Sequence, residues 1–377
     1  MSNKKEISTT ESMANIVDNL TKEIEKIDNK KSRFIFFVMD TKGNPNGSLF
    51  NIYETAKVLS DMGYDVSMLH AEKEFIGVRE WMGDAYADIK HYNIEKDGVK
   101  VSPSDILIIP ELLSNVMFQT NESKLPCKRV VLLQNRYYIT EVIQPGASWL
   151  GYGIIDCVAT SEKLANEAKE LFHGLRTNVV KPVIKDVFKD TGKPKGMFIN
   201  LVTKSQSDTN RIVKEFFLRY PQYKWVPFRG VSGLPTEDLA DVFKESFATV
   251  WVDDITDFGY SALEAMNAGN IVIGKIPEEE PEWMFNKDGK LVDNGIWFYK
   301  ISECYDLIAG AINAFLNDTI PDSIYKEGQK TAANYSEKEF AENVKKVYVD
   351  TLLENRKKEL ESALEIAKNN FEKVKSE

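Results

Sequence analysis

Residues 257–272 read DFGYSALEAMNAGNIV, and they carry the clearest pattern in the chain. An apolar run at 247–252 precedes them, which is typical of a buried strand. The chain then passes through Gly259 into a helix predicted at 259–268, and a second apolar run follows at 271–274. A strand, a helix and a strand in this order predict one unit of a parallel α/β sheet.

The start of this helix has the properties of an anion-binding site. Tyr260, Ser261 and Ala262 form its first turn, where backbone N–H groups lack partners within the helix and the helix dipole favours negative charge. Glu264 lies one turn further in, badly placed for a phosphate but well placed to accept hydrogen bonds from sugar hydroxyls beside it. From the residues alone, the alternative is a capped helix with an exposed glutamate, which the dipole also favours.

Short apolar runs alternate with helical stretches along most of the chain from Arg33 onward. The strands predicted in the first half are 34–39, 65–69, 105–109, 129–133, 155–159 and 179–183. Those predicted in the second half are 196–202, 224–228, 247–252 and 271–274. The clearest helices are 49–62, 161–172, 208–219, 236–245 and 259–268. This alternation predicts parallel sheets that are covered on both faces.

Residues 185–196, KDVFKDTGKPKG, are rich in Lys, Asp, Gly and Pro, and they predict an interdomain linker. We therefore expect an α/β chain with one Rossmann-like βαβ domain at 33–188 and a second at 189–335. In such an arrangement the carboxyl ends of both sets of strands face a cleft, which is where ligands bind in parallel α/β sheets.

Helical extensions are expected at both ends of the chain, at 1–32 and at 336–377. The first contains an amphipathic helix at 11–28, with apolar residues at spacings of three and four. We expect this helix to pack on the protein body or on a partner. In the second extension, balanced charges indicate a solvated helix face, and a homo-oligomer contact through the terminal helices is the alternative.

The composition excludes several classes of protein. The 377 residues contain 58 acidic and 48 basic side chains, a formal net charge of −10, which disfavours broad binding to nucleic-acid phosphates. No apolar run is long enough to span a membrane, and the charged amino-terminal stretch does not resemble a signal peptide. Three widely spaced cysteines indicate neither a disulfide framework nor a thiolate zinc site, so we expect a cytoplasmic protein.

The stretch 257–272 resembles the signature of retaining GT-B glycosyltransferases of the family-4 type. The matching residues are, in order, Phe258, Gly259, Glu264, Ala265, Met266, Ala268 and Gly269, followed by the strand 271–273. Weaker agreement at 42–48, 59–68, 154–168 and 179–188 extends the resemblance over residues 33–335. The resemblance implies a GT-B fold and a hexosyl- or pentosyltransferase that uses a nucleotide sugar.

In the family, the glutamate of the signature binds the ribose of the nucleotide, and the helix start binds the diphosphate. The resemblance assigns these roles to Glu264 and to the segment from Gly259 to Ala262. A second family glutamate lies eight positions earlier, where this chain has Thr256. Thr256 is flanked by Asp253, Asp254 and Asp257. Either the hydroxyl of Thr256 or a neighbouring aspartate, with Asp257 as the candidate, contacts the donor sugar, or the donor differs from the common hexoses.

The family also neutralises the leaving diphosphate with an Arg and a Lys that follow the first strand of the second domain. The matching loop, 203–211, offers Lys204 and Arg211, for which plain solvent exposure is the alternative. In the first domain, Gly47 and Ser48 allow the backbone to approach the donor phosphate or the acceptor. A simple turn is the alternative there, because Asn-Pro-Asn-Gly is a strong turn sequence.

Where the family often has a histidine near the donor sugar, this chain has Gln134, Asn135 and Arg136. We assign Asn135 and Arg136 to the acceptor and phosphate side of the cleft. The three histidines of the chain are scattered and show no ligand spacing; they are His70, His91 and His173. The resemblance implies no metal ion, and no cofactor besides a nucleotide sugar that serves as co-substrate.

The predicted function is sugar transfer with retention of configuration, from a UDP- or GDP-sugar to a glycan or a lipid-linked intermediate. One alternative is a phage-type enzyme that glycosylates hydroxymethylated pyrimidines in DNA. That alternative requires a basic strip in the cleft, for which Lys128, Arg129 and Arg136 are candidates. Thr256 in place of a glutamate favours a further alternative, a non-catalytic scaffold or partner protein. A sugar-nucleotide epimerase on the same fold is the last alternative.

Overall fold

The computed structural model describes residues 2–376, and the side chains of residues 12–374. Seven parallel strands form the first sheet, in the order β3-β2-β1-β4-β5-β6-β7. They are β1 Arg33–Phe37, β2 Asp65–His70, β3 Lys90–Asn93, β4 Ile106–Pro110, β5 Lys128–Leu133, β6 Asp156–Ala159 and β7 Arg176–Val179. The central strands are buried along almost their whole length, as their continuous apolar runs predict.

Five parallel strands form the second sheet, in the order β12-β11-β10-β8-β9. They are β8 Gly196–Thr203, β9 Phe228–Gly230, β10 Ser246–Val252, β11 Ile271–Lys275 and β12 Ile296–Phe298. All seven residues of β10 are buried, so this strand forms the centre of the second core. The two sheets and their helices confirm the predicted α/β architecture.

Helices cover both sheets. Those of the first half are α1 Ser2–Asp28, α2 Gly47–Asp61, α3 Arg79–Met82, α4 Ile94–Asp97, α5 Ser114–Glu122, α6 Arg136–Val142 and α7 Glu162–Leu171. Those of the second half are α8 Gln206–Arg219, α9 Thr236–Glu245, α10 Tyr260–Asn267, α11 Ile301–Leu316 and α12 Asp322–Ala333. The carboxyl-terminal part continues as α13 Glu337–Val344, a π-helical segment Lys345–Leu353 and α14 Glu354–Ser376.

The carboxyl-terminal helices return to the first sheet. Phe340 and Tyr348 are buried in the same apolar cluster as Phe34 and Phe36 of β1. The chain therefore crosses between the two sheets twice, and the crossings lie side by side. The N–H of Ile184 donates to the carbonyl of Tyr335 at 2.8 Å.

The terminal helices α1 and α14 pack against each other and run in opposite directions. Lys357, near the start of α14, pairs with Asp28, at the end of α1, at 2.6 Å. Ile27 is buried, and Leu20 and Ile24 pack on the first core, so the carboxyl-terminal half of the predicted apolar stripe contacts the protein body. A contact between copies through these helices stays a prediction.

Two predicted strands are misplaced. The strand expected at 179–183 is β7, which ends at Val179, because Pro182 has no N–H to contribute to a sheet. The strand expected at 224–228 begins only at Phe228, because the preceding residues form a 3₁₀ turn in which Tyr223 is buried. The three cysteines are all buried and unpaired.

A buried ion pair connects the carboxyl-terminal helices to the first sheet. The ammonium of Lys128, on β5, lies 2.8 Å from both Asp156 and Glu359. The Lys128 side chain is only 5% exposed, so it does not contribute to the surface charge that a DNA-binding strip needs. Asp156 also pairs with Arg176 at 2.6 Å.

We predict that Lys128→Ala lowers the free energy of unfolding by about 3 kcal/mol, because Asp156 would remain buried with one partner fewer. Urea unfolding followed by circular dichroism measures this change. The matched control is Lys326→Ala, which removes an exposed pair with Asp322 and is expected to change the stability by less than about 0.5 kcal/mol. Equal effects of the two substitutions would contradict the prediction.

Candidate active site

A cavity of about 710 Å³ lies between the carboxyl ends of the two sheets; we call it the cleft. Loops that follow strands of both sheets form its walls. From the first sheet come the segment 45–48 after β1, residues 134–135 after β5 and Thr160 after β6. From the second come residues 203–205 after β8 and 252–261 after β10. The predicted cleft is therefore present, and both sheets contribute to it.

The helix start predicted at Gly259 depends on glycine for two reasons. Gly259 has a φ of +72°, and a Cβ there would lie 2.8 Å from the indole of Trp251 on β10. Its N–H donates to Oγ1 of Thr256 at 3.0 Å, and the indole N–H of Trp283 donates to the carbonyl of Phe258 at 2.6 Å. These contacts fix the direction in which α10 leaves the cleft.

The first turn of α10 presents two free donors rather than three. The N–H of Ala262 already donates to the carbonyl of Gly259 at 3.1 Å. Among the described residues, no group accepts a hydrogen bond from the N–H of Tyr260 or of Ser261, and both residues line the cleft. Two of the three N–H groups that the sequence selected, those of Tyr260 and Ser261, are therefore free to bind an anion, whereas that of Ala262 is already bonded.

Glu264 lines the cleft but is only 9% exposed, which contradicts the alternative of an exposed glutamate. No side chain or N–H within residues 2–376 donates a hydrogen bond to its carboxyl group, and no ion pair neutralises it. Burial raises the pKa of Glu264 to about 8. A buried carboxyl group that the protein itself leaves unpaired is suited to a ligand with hydroxyl donors.

Lys204 follows β8 and lines the cleft, with its side chain 75% exposed. Its ammonium lies 3.5 Å from Oδ2 of Asp253, a residue that the sequence did not select. Asp253 is 7% exposed and lines the cleft, and burial raises its pKa. Lys204 and Asp253 thus place one positive and one negative group on the same wall as Glu264.

The structure does not bring Arg211 to the cleft. Arg211 lies in the second turn of α8, where its guanidinium pairs with Glu215 at 3.0 Å on the outer face of the helix. Glu215 in turn accepts a hydrogen bond from Tyr305 at 2.5 Å. The sequence placed Arg211 in the loop after β8, but the helix begins at Gln206 and directs this side chain away.

Asp257 joins the two walls of the cleft. One oxygen of its buried carboxyl group accepts a hydrogen bond from the N–H of Arg136, at the start of α6, at 2.7 Å. Beside it, the amide of Asn135 donates to the carbonyl of Ile255 at 2.6 Å. Burial raises the pKa of Asp257 to about 7. Asp257 therefore holds the two halves together in addition to lining the cleft.

Asn135 and Arg136 differ in where their side chains lie. Asn135 lines the cleft, whereas the guanidinium of Arg136 lies at the rim, 3.6 Å from both Glu167 and Glu279. Beneath them, Oε1 of the buried Glu111 accepts a hydrogen bond from the N–H of Asn135 at 2.8 Å. The sequence signal for Glu111 was an acid immediately after the buried strand β4.

Gly47 and Ser48 form the start of α2 and line the cleft opposite α10. A Cβ at Gly47 would lie 2.6 Å from the ring of Tyr260, whose edge also packs on Phe50 with ring centroids 5.5 Å apart. Glycine is required here by a close contact between the two halves. This contact explains Gly47 without the phosphate that the sequence analysis proposed for it.

Two histidines are not scattered as the sequence suggested. The parallel pairing of β2 and β3 brings His70 and His91 within 6.4 Å of each other, measured between ring centroids. Within residues 2–376, no group of three His, Cys, Asp or Glu side chains is arranged to hold a metal ion. In the same range, no helix is long and apolar enough to cross a membrane.

Comparisons with known proteins were made on sequence and on structure. No family model matches the chain. An alpha-1,6-glucosyltransferase of Actinobacillus pleuropneumoniae serotype 7 (strain AP76) is 22% identical over 331 residues, which cover 83% of this chain and 94% of the relative. The crystal structure of Anabaena HepE with UDP and glucose superposes with a TM-score of 0.60 at 10% identity, over 85% of this chain and 100% of HepE.

A glycosyltransferase of Rickettsia africae ESF-5 superposes with a TM-score of 0.55 at 12% identity, over 85% of this chain and 99% of that one. The chain has the GT-B fold. The relative, an alpha-1,6-glucosyltransferase, bears out the predicted enzyme class, a glycosyltransferase. Likeness to family 4 within the GT-B fold and retention of configuration stay predictions.

The charges around the GT-B cleft give no support to a DNA acceptor. Of the three basic candidates, Lys128 is buried, Arg136 pairs with acids, and Arg129 hydrogen-bonds to Asn121 at 3.3 Å. The ionisable side chains that line the cleft are, apart from tyrosines, a single lysine and five acids, namely Lys204, Asp208, Asp253, Asp254, Asp257 and Glu264. With a single lysine among these side chains, the cleft lacks the several positive charges that binding of a DNA backbone requires.

We predict that Glu264→Gln stabilises the protein increasingly as the pH rises. The pKa of Glu264 is raised above its ordinary value of 4.5 to about 8. Between these two pH values the native state therefore binds more protons than the unfolded state. The wild type therefore loses stability as the pH rises through this window, and the variant does not bear this loss. Thermal unfolding at pH 5, 6, 7 and 8 measures the difference in Tm.

The matched control is Glu342→Gln, since Glu342 is 67% exposed on α13. The Tm of this variant is expected to follow that of the wild type throughout. The prediction is wrong if Glu264→Gln gives the same Tm difference at pH 5 as at pH 8.

Proposed function

We propose that the protein transfers a hexose from a UDP-sugar to a hydroxyl group of a glycan, with retention of configuration. The nucleotide-sugar class of donor is supported by the fold and by HepE, whose crystal structure holds UDP and glucose. The choice of hexose is supported by the relative, which is an alpha-1,6-glucosyltransferase. The single observation that carries the proposal is the buried, unpaired Glu264 beside the free N–H groups of Tyr260 and Ser261.

These groups match the two ends of a nucleoside diphosphate. The hydroxyls of a ribose donate hydrogen bonds, and Glu264 offers a carboxyl group that no described protein group occupies. The phosphates accept hydrogen bonds, and the helix start offers two N–H donors with the dipole of α10 behind them. Lys204 lies on the same wall of the cleft, and its exposed ammonium adds a positive charge that contacts the diphosphate.

Catalysis by this arrangement rests on position and charge. The bond between the anomeric carbon and the diphosphate breaks, and a bond to the acceptor oxygen forms on the same face of the sugar. The proton of the acceptor hydroxyl passes to the departing phosphate oxygen. Lys204 and the N–H groups of Tyr260 and Ser261 stabilise the negative charge that develops on the diphosphate.

The place of the missing family glutamate is filled in part by Asp253. Oγ1 of Thr256 already accepts the N–H of Gly259, which leaves its hydrogen and one lone pair for a ligand. Asp253 lies in the same loop and lines the cleft; one of its oxygens lies near Lys204, and the other accepts a hydrogen bond from the N–H of Ile255 at 3.4 Å. We propose Asp253, rather than Asp257, as the carboxylate nearest the donor sugar, because Asp253 lies beside the ammonium of Lys204, whereas Asp257 bonds across the cleft to the N–H of Arg136.

Contacts between the two walls exclude water from the reaction. The ring of Tyr260 lies against Gly47, and Asp257 and Asn135 each bridge the walls by a hydrogen bond. Excluding water favours transfer to the acceptor over hydrolysis of the donor.

Mass-spectrometric detection of sugar transfer from UDP-glucose, UDP-galactose and GDP-mannose to a panel of oligosaccharides tests the proposed function. Proton NMR of the first product reports whether the anomeric configuration is retained. The non-catalytic scaffold predicts no turnover and no nucleotide-dependent rise in Tm, and that result would overturn the proposal.

We predict that Lys204→Ala lowers kcat/KM by about 10²-fold, as expected for the loss of one group that stabilises the leaving diphosphate. Arg211→Ala is the matched control. Both side chains are exposed and lie close in sequence, but Arg211 points to the outer face of α8, so its loss is expected to change kcat/KM by less than twofold. Comparable losses in both variants would show that α8 is oriented differently during catalysis.

We predict that the affinity for UDP-glucose rises with pH up to about 8. Ribose hydroxyls bind the ionised form of Glu264, whereas burial keeps the group protonated below that pH. Isothermal titration calorimetry at pH 6, 7 and 8 measures the dependence. Glu264→Gln is expected to bind more weakly and with no such slope, while it retains the titration of Asp257. An unchanged slope in the variant would exclude Glu264 as its source.

A further inference from the structure

A second cavity, of about 350 Å³, lies in the first half of the protein and has no part in the mechanism above. Five rings line it, and we call it the aromatic cavity; they belong to Tyr53, His70, Phe75, Tyr86 and His91. It forms where β2 ends at His70 and the neighbouring β3 carries His91. Its volume is at the lower end of the range of about 300–1,000 Å³ that is usual for small-molecule sites.

The walls of the aromatic cavity are ordered by ring packing. Phe75 stacks on His70 with centroids 4.3 Å apart and lies 5.0 Å from His91. Tyr53 is 5.9 Å from His91, also between centroids. At the rim, Ile76 is 52% exposed.

The polar groups among these rings are hydroxyl groups and imidazoles. The hydroxyl of Tyr53 lies 3.3 Å from Nε2 of His91. Desolvation by the surrounding side chains and the proximity of His70 lower the pKa of His91, so its imidazole is neutral at physiological pH. His70 is 6% exposed, and its Nδ1 lies 3.7 Å from Oε2 of Glu72, beyond hydrogen-bond distance. Rings with hydrogen-bonding tips bind ligands that combine apolar faces with hydroxyl groups.

The one charged side chain that lines the aromatic cavity is Arg79. Arg79 is paired with Asp84 at 2.6 Å, so the two side chains together bring no net charge to the cavity. This balance favours a neutral ligand over an anion.

The aromatic cavity and the cleft share structural elements. Tyr53 lies one turn after Phe50 on α2, and Phe50 lines the cleft. Arg79 and Trp81 both belong to α3, and Trp81 lines the cleft. Two short segments of the protein therefore lie between the cleft and the aromatic cavity.

We propose that the aromatic cavity binds a neutral sugar ring of the acceptor glycan, at a distance from the hydroxyl group that receives the new sugar. The binding of a sugar ring is argued from the geometry alone. That this sugar belongs to the acceptor rests on the proposed function.

The test uses full-length protein labelled with ¹³C-histidine and titrated with the methyl α-glycosides of glucose, galactose and mannose. At least one glycoside is expected to shift the NMR signals of His70 and His91 in a saturable way, with His173 as an internal reference. Phe75→Ala is expected to weaken this binding by about tenfold, as the loss of one stacking ring would. Phe118→Ala, which removes a half-exposed ring on α5, is the matched control and is expected to have no effect.

A second variant, Ala87→Trp, fills the cavity from its exposed edge without removing a buried ring, and is expected to abolish the shifts. The proposal is overturned if no glycoside shifts these signals, if Phe118→Ala weakens binding as much as Phe75→Ala, or if choline shifts them and the glycosides do not. Both cavity variants should bind UDP-glucose like the wild type. If glycosides bind while no nucleotide sugar is used, the proposed function fails and the sugar site stands.

Discussion

The packing of Trp251 against Gly259 sets the geometry on which the rest of the cleft depends. Trp251 belongs to the fully buried β10, so its position is fixed by the second core. The chain can turn above this indole only where a Cβ is absent and φ is positive. The turn releases α10 in one direction, and that direction places both the free N–H groups and Glu264 in the cleft. One steric constraint, at Gly259, thus positions the N–H donors and the carboxyl group of Glu264 together.

Much of this arrangement is predictable from the sequence, and the failures have physical causes. Long apolar runs such as those of β4 and β10 predict buried strands, because a strand that is covered on both faces carries apolar residues at successive positions. The edge strands β3, KHYN, and β12, IWF, give no such signal, because they are short and their partners decide their pairing. In the sequence, Lys204 and Arg211 are both basic residues that follow a predicted strand. Only the point at which α8 begins determines that Lys204 lines the cleft and that Arg211 lies on the outer face of the helix.

The buried acids show a conflict between stability and chemistry. Glu111, Asp257 and Glu264 all have their pKa raised by burial, and each makes the folded protein less stable at neutral pH than an uncharged residue would. Sequence patterns revealed Asp257 and Glu264 but not what surrounds them, because burial is a property of the whole fold. That these groups occur at the cleft, where two halves meet, fits the general clustering of perturbed acids at functional sites.

The double crossing of the chain between the two sheets limits how the GT-B halves can move. Because Ile184 and Tyr335 are hydrogen-bonded to each other, the two crossings form a double connection between the halves and not a single flexible linker. The side chains of Lys185 and Glu337, 3.6 Å apart, extend this contact along both crossings. Such a joint permits opening about a single axis and resists twisting. Because residues of α1 and of α14 both pack in the first core, fluorophores on these two helices would move with the same half and would not report the opening.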